Sequence, residues 1–399
     1  MAPRDRMREV MAGHVERGTV PGVVTLIWRR GETRVEALGA TGIGGATPMR
    51  RNSIFRISSM SKPVAAAAAM ILVEDGTLRL DDPVDRHLPE LADRRILARL
   101  DGPLDETVPA ARPITLRDLL TFRMGFGMVW GPPEAYPVVR AANALKLGAF
   151  GPPKPHEPPA PDEWMRRFAT LPLMHQPGER WMYNTAAEVL SVLLARASGK
   201  TLDALLRERI FEPLGMKDTS FAVPASKIDR FVTSYMARHP MNPDGGPSDV
   251  FDEVDGQWAS PPAFPSGAAG LVSTVDDYLA FGRMLLGGGK LGGQRVLSAD
   301  SVEAMTTDHI TPAQKAASEF APNFWKTQGW GFGMAVVTAP DHVSPVPGRY
   351  GWDGGLGTSW CSDPKRDMVA ILMTQRAAFP GASAVHRDFW TIAYEGLDA

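Results

Sequence analysis

Segments with strand character lie at both ends of this chain, and helical segments fill its centre. Residues 23–28 and 33–38 are rich in Val, Ile, Leu and Thr and flank Arg30-Gly31, the spacing of a hairpin. Toward the other end, residues 331–337, 358–362 and 368–374 read as strands, the last two joined by a turn at Asp363-Pro364-Lys365-Arg366. A shorter strand is predicted at 53–57. Strands need partners for their backbone groups, so the economical solution pairs the two ends of the chain in one sheet. Between them, helices are predicted over 59–74, from Thr115 to Leu120, and over 185–197, 202–210 and 276–286, with further helices at 5–16 and 386–395. Thr115 with Asp118, and Thr185 with Glu188, have the spacing of capping boxes. The expected fold class is α/β, or α+β in layer terms, in a single domain over residues 1–399. A sheet lobe would comprise 1–80 and 265–399, and a mostly helical lobe 81–264.

The segment Ser59-Met60-Ser61-Lys62 opens the most apolar of these helices, with Pro63 in its first turn and Gly76 at its end. With 20 Ser and 10 Lys in 399 residues, a Ser-x-x-Lys arises by chance about 0.5 times in such a chain. Two occur, and the second runs from Ser362 to Lys365. Context separates them, because Ser362 runs from a strand into a turn, where residues three apart diverge. Ser59 and Lys62 share one face of a helical turn, so the amine can reach the hydroxyl. A serine attacks only when a base takes its proton, and a lysine serves only if burial keeps it partly neutral. The apolar run 64–71 offers that burial. The bland alternative is a serine that merely caps the helix.

Residues 55–63, Phe-Arg-Ile-Ser-Ser-Met-Ser-Lys-Pro, resemble the nucleophile region of class C β-lactamases, penicillin-binding proteins and family VIII carboxylesterases. The resemblance continues in order through 78–88, 115–121, 177–184, 269–278 and 350–367, nearly the whole chain. It implies a β-lactamase/transpeptidase-like fold, with a mainly antiparallel sheet flanked by helices. It also implies that Ser59, Lys62 and Tyr183 are catalytic, the last as general base or proton shuttle with its pKa lowered by Lys62. Thr185 stands where the family's Tyr-x-Asn element usually has asparagine, so the contact to a substrate amide is in doubt; as a capping residue Thr185 has a purely structural role. The third family element, Lys-Thr-Gly or His-x-Gly, corresponds to Trp352-Asp353-Gly354-Gly355. Trp352 replaces the cation, as in the carboxylesterase branch, and would give substrate an apolar wall. Gly354 and Gly355 would let substrate approach the strand, with Asp353 beside them, and the backbone N–H groups of Ser59 and Gly355 would form the oxyanion hole.

The resemblance therefore implies hydrolysis of small carboxylic esters, short-chain or aryl, through an acyl-enzyme. β-Lactamase or D-Ala-D-Ala carboxypeptidase activity and acyl transfer are the alternatives, and a non-catalytic binding protein is the alternative of another class. The loss of a cation at Trp352 favours esters, since a lysine there would help hold a β-lactam carboxylate.

Other chemistries find little support. There is no Gly-x-Ser-x-Gly, the eight histidines have no metal-ligand spacing, and no Gly-rich phosphate loop precedes a helix. No metal or cofactor is implied. A net charge of -2 gives no pull toward nucleic acid or anionic membranes. The single cysteine, Cys361, excludes an intrachain disulfide, and no apolar leader is visible, so a cytoplasmic protein is expected. Two Pro- and Gly-rich stretches, 131–161 and 239–267, are long enough to serve as lids or pocket walls.

Overall fold

The computed structural model describes residues 3–148, 151–238, 248–318, 320–377, 383–395 and 397. Its centre is a seven-stranded antiparallel sheet made from the two ends of the chain. The strands are β1 (Gly22–Arg29), β2 (Glu32–Gly39), β3 (Gln328–Trp330), β4 (Ala335–Val337), β5 (Tyr350–Gly354), β6 (Thr358–Asp363) and β7 (Met368–Thr374), in the order β3-β4-β5-β6-β7-β1-β2. The β1–β2 hairpin turns at Arg30 and Gly31, both at positive φ (48° and 89°), the turn geometry that matches strand twist. Pairing of β1 with β7, from Val23↔Thr374 to Arg29↔Met368, joins the ends. This is the β-lactamase/transpeptidase-like architecture that the resemblance implies.

Side chains alternate across the sheet and so feed two cores. Val23, Cys361, Ala370 and Leu372 pack with Met7 and Met11 of helix α1 (Pro3–Glu16) and with Val385 and Phe389 of helix α5 (Ala384–Tyr394). Val24, Leu26, Trp352, Trp360 and Ile371 face the other way, into the large core shared with helices α2 (Ser61–Glu74), α3 (Thr185–Ser198) and α4 (Val275–Leu286). Helix α2 is buried from Ser61 to Leu72, as expected of a helix apolar on all sides, and its five consecutive alanines let neighbouring backbone come close.

Local differences from the sequence reading have identifiable causes. The helix expected from residue 59 begins at Ser61, because Ser58 adopts φ 47° and Ser58–Met60 form a 3₁₀ turn instead. Residues 202–210 are helical throughout, but α-helical only to Leu206, after which a π turn (Arg207–Phe211) widens the helix before it ends at Leu214. The strand expected over 331–337 is shortened to Ala335–Val337 because Gly333 turns at φ 71°. Of 131–161, residues 149–150 lie outside the described residues; elsewhere in the stretch Pro137 starts a helix (Pro137–Ala144) and Pro161 another (Pro161–Ala169). Of 239–267, residues 239–247 lie outside the described residues, and Ser248–Asp252 form a strand paired with Ser234–Ala237. Among the described residues no helix is long and apolar enough to cross a membrane.

Candidate active site

Three chain segments converge on Ser59. The first is its own 3₁₀ turn, ahead of α2. The adjoining strand Phe55–Arg56 pairs with Val272–Ser273, and Arg56 is held in the protein by Asp252, whose Oδ2 lies 3.0 Å from Nε and 2.5 Å from Nη2. Phe231 and Trp258 cover the guanidinium, 4.0 and 5.2 Å from their ring centres. Next to this anchor, the positive φ of Ser58 places strain beside the reactive residue, where it is commonly found. Ser59 is half-buried and reachable by solvent, whereas Lys62 is 1% exposed.

Lys62 reaches back one turn to place Nζ 3.0 Å from Ser59 Oγ. The same nitrogen donates to the Ala268 carbonyl at 2.7 Å and lies 4.6 Å from the centre of the Tyr183 ring. Burial pushes the Lys62 amine down to about 7, against the opposing pull of Glu188. A lysine with an ordinary pKa would be charged and useless as a base at neutral pH; this one has a substantial neutral fraction. Ser61, the remaining serine, points elsewhere, donating to Ser58 O and accepting from Leu271 N.

Tyr183 comes from the turn before α3, where Asn184 adopts φ 81°. Its phenol hydrogen-bonds with the Ser59 hydroxyl and accepts from Trp352 Nε1 at 2.8 Å. Burial pushes the phenol well above its ordinary range, with the Ser59 and Trp352 hydrogen bonds acting the other way. The sequence reading, which had Lys62 lowering this pKa, is corrected: desolvation wins, and Tyr183 rests as a neutral phenol.

The third segment is β5. Trp352 and Tyr183 face the same core, but Asp353, one residue on, points to the opposite face of the sheet. There it binds Ser359 Oγ and lies 3.3 Å from His386 Nε2 of α5. This placement corrects its assignment to a substrate-binding surface. Gly354 is also not free for substrate, since a Cβ there would fall 2.3 Å from the Ile57 carbonyl oxygen and 2.2 Å from Thr358 Oγ1. Its smallness lets the strand dock on the nucleophile turn, a contact strengthened by the Thr358 hydroxyl donating to Ile57 O at 3.2 Å. Gly355 follows in the turn after β5 and is partly exposed. Trp352 is more than a wall, because its indole N–H is aimed at the phenolic oxygen, a contact that sequence alone does not reveal.

Thr185 is not a helix cap. It lies inside α3, fully buried, and its hydroxyl has no hydrogen-bond partner among the described residues. Glu188, read in the sequence as the other half of that cap, is buried, its Oε2 has no hydrogen-bond partner among the described residues, and desolvation pushes it well above the usual carboxylate range, with the Ser266 hydrogen bond and the Lys62 charge acting the other way. It is the charged residue that sequence reasoning missed. Its signal was a lone acid in the apolar run of α3. The second Ser-x-x-Lys forms no such pair: Ser362 is buried in β6 and donates to Gly282 O at 3.2 Å.

A rim of partly exposed aromatic rings surrounds the site. Phe320 lies 5.0 Å from Tyr183 and 5.7 Å from Trp352, and Trp130 lies 6.0 Å beyond it. Among the described residues no group of His, Cys, Asp and Glu has the arrangement of a metal site.

Comparisons with known proteins give the family of the chain. The family pattern described as Beta-lactamase matches residues 7–394. Protein Rv1367c of Mycobacterium tuberculosis is 40% identical over 370 residues, covering 90% of this chain and 86% of that protein. Esterase EstB of Burkholderia gladioli is 29% identical over 386 residues, covering 89% and 86%. Among solved structures, EstCE1, a hydrolase with promiscuous acyltransferase activity, superimposes with a TM-score of 0.76 at 25% identity, over 98% of both chains.

Proposed function

Because the chain belongs to the β-lactamase family, we propose that this serine hydrolase cleaves small carboxylic esters, short-chain or aryl, through an acyl-enzyme on Ser59. The observation that carries the reading is the shared hydrogen-bonding of the Ser59 hydroxyl by Lys62 Nζ, at 3.0 Å, and by the Tyr183 phenol, with Trp352 where a substrate-binding cation would stand. The esterase relative and the aromatic rim both support an apolar ester over a β-lactam carrying a carboxylate.

In this mechanism the neutral Lys62 amine takes the Ser59 proton as Oγ attacks the ester carbonyl. The backbone N–H groups of Ser59 and Gly355 serve as oxyanion donors. Tyr183, a neutral phenol, protonates the departing alkoxide and is reprotonated from the Lys62 ammonium. The indole N–H of Trp352 stabilises the phenolate that forms in passing. Water then attacks the acyl-enzyme, with the same groups working in reverse. The partner is a small-molecule ester, with no nucleic acid, membrane or cofactor involved. The buried single thiol of Cys361 suits a cytoplasmic site of action.

The test is turnover of nitrophenyl butyrate beside a chromogenic cephalosporin, with fluorophosphonate labelling read by mass on the Ser59 peptide. We expect ester turnover well above cephalosporin turnover, and loss of turnover and label in Ser59→Ala at unchanged Tm. Faster cephalosporin hydrolysis would replace the ester reading with a β-lactamase one. Neither turnover nor label would leave a binding protein on a hydrolase scaffold. Acyl transfer is the second reading, favoured by the acyltransferase activity in the description of EstCE1. It predicts that added alcohol diverts the acyl group to a new ester.

A further inference from the structure

Helix α3 is buried along Thr185 to Leu194 and is otherwise lined with Ala, Val and Leu, yet it carries Thr185, Glu188 and Ser191 three residues apart. That spacing puts the three polar side chains on one face. The face meets the segment 266–268, which supplies the carbonyl that holds Lys62. Ser191 Oγ accepts from Gly267 N at 2.8 Å and donates to Ala187 O at 2.7 Å. Glu188 hydrogen-bonds to the Ser266 side chain. Ser266 Oγ in turn accepts from Ala268 N at 3.2 Å and Ala269 N at 3.3 Å, and Ser266 O accepts from Gly270 N at 2.9 Å. Gly267 is wedged so tightly that a Cβ would sit 2.8 Å from Ala65 Cβ and 2.9 Å from Ser191 Oγ. The product of this bracing is one fixed acceptor, Ala268 O, 2.7 Å from Lys62 Nζ.

We infer that Glu188 is a positioning residue of the hydrolytic site, acting through Ser266 on the Ala268 carbonyl and through its charge on the Lys62 amine. The inference rests on the hydrolase reading above. Among the described residues, Lys62 is the charged group acting on Glu188, and Glu188 the charged group acting on Lys62; the phenol of Tyr183 and the hydroxyls of Ser59 and Ser266 complete the surroundings. A buried carboxylate beside a buried amine holds the amine's proton in place. Protonation of Glu188 releases that hold, so the two groups titrate as a coupled pair. This arrangement gives α3 a reason to bury a carboxyl group, which otherwise costs stability.

The sign of the effect follows. Glu188→Gln keeps the shape and a hydrogen bond to Ser266 but removes the negative charge, so Lys62 becomes neutral at lower pH. The readout is the rate of fluorophosphonate labelling at Ser59 as a function of pH, which needs an activated hydroxyl but no ester turnover. The acid limb of that profile is expected to move down by roughly one pH unit in Glu188→Gln. Glu188→Asp, which keeps the charge, should restore the limb toward its original position. Ser266→Ala, which removes a hydrogen bond that favours the carboxylate, should shift the limb in the same direction as Gln by a smaller amount; it serves if the Gln protein does not fold. An unmoved limb in a folded Glu188→Gln or Ser266→Ala protein, with Ser59 labelled normally, overturns the inference and leaves the hydrolase reading intact. Absence of label in the unaltered protein overturns the hydrolase reading itself, and the inference with it.

Discussion

At the scale of single residues, the site is a problem of where a proton rests. Lys62 is brought down to about 7 by desolvation while Tyr183 is driven up by the same cause, because burial disfavours whichever form is charged. Activity should therefore rise as pH increases through about 7, with the limb belonging to Lys62 and Glu188 jointly, and no second limb should follow from Tyr183 below its ordinary pKa. A bell centred below pH 6 would contradict this assignment. Trp352→Phe preserves an aromatic ring among Tyr183, Phe320 and Trp330 but deletes the N–H donated to the phenol at 2.8 Å. A hydrogen bond to a developing charge contributes about 1.5–3 kcal/mol, so kcat/KM should fall by about 10- to 100-fold with little change in KM. A loss confined to KM would mean that the indole serves substrate binding alone. Sequence made Ser59, Lys62 and Tyr183 legible as candidates because one helical turn and a family pattern bring them forward. The donor role of Trp352 and the placement of Glu188 were not legible, since each depends on a partner more than 100 residues away.

At the scale of elements, the nucleophile turn is held from outside its own helix. Arg56, on the short strand before it, is buried and bound by Asp252, Val232 O and Glu253 O. Asp252→Ala would strand a buried guanidinium, a change that costs about 3–5 kcal/mol. Chemical denaturation should register that loss, and labelling of Ser59 should slow in the fraction that remains folded. A loss below about 1 kcal/mol would show that water replaces the carboxylate at no cost and that the anchor is dispensable. The element boundaries show which sequence rules held. The Thr115–Asp118 capping box is present as expected, with the Thr115 side chain accepting from Asp118 N. The similar pattern at Thr185 and Glu188 is not a cap, because the helix already starts at Thr185 after the strained Asn184 and its polar side chains turn inward. Both have the same spacing and both acids are buried; what distinguishes them is where the helix begins, after Thr115 in one case and at Thr185 in the other.

At the scale of the whole molecule, the chain ends build the sheet and the centre builds the walls. Deleting part of residues 151–161, a largely exposed stretch beside Ser260 through His156, should change the range of esters accepted more than it changes Tm. Uniform activity on all esters after the deletion would reject a role for it in the pocket. The sheet itself was readable, because period-two patterns and turn residues are local properties and two sets of strands at opposite ends have few ways to satisfy their backbones. The Ser-x-x-Lys was readable for a similar reason: its geometry is contained in one turn of helix. What only the tertiary structure decided is the state of that pair. The carbonyl of Ala268, the carboxyl of Glu188 and the indole of Trp352 come from three separate regions, and the burial and the field they create at Ser59 exist only once those regions are packed together.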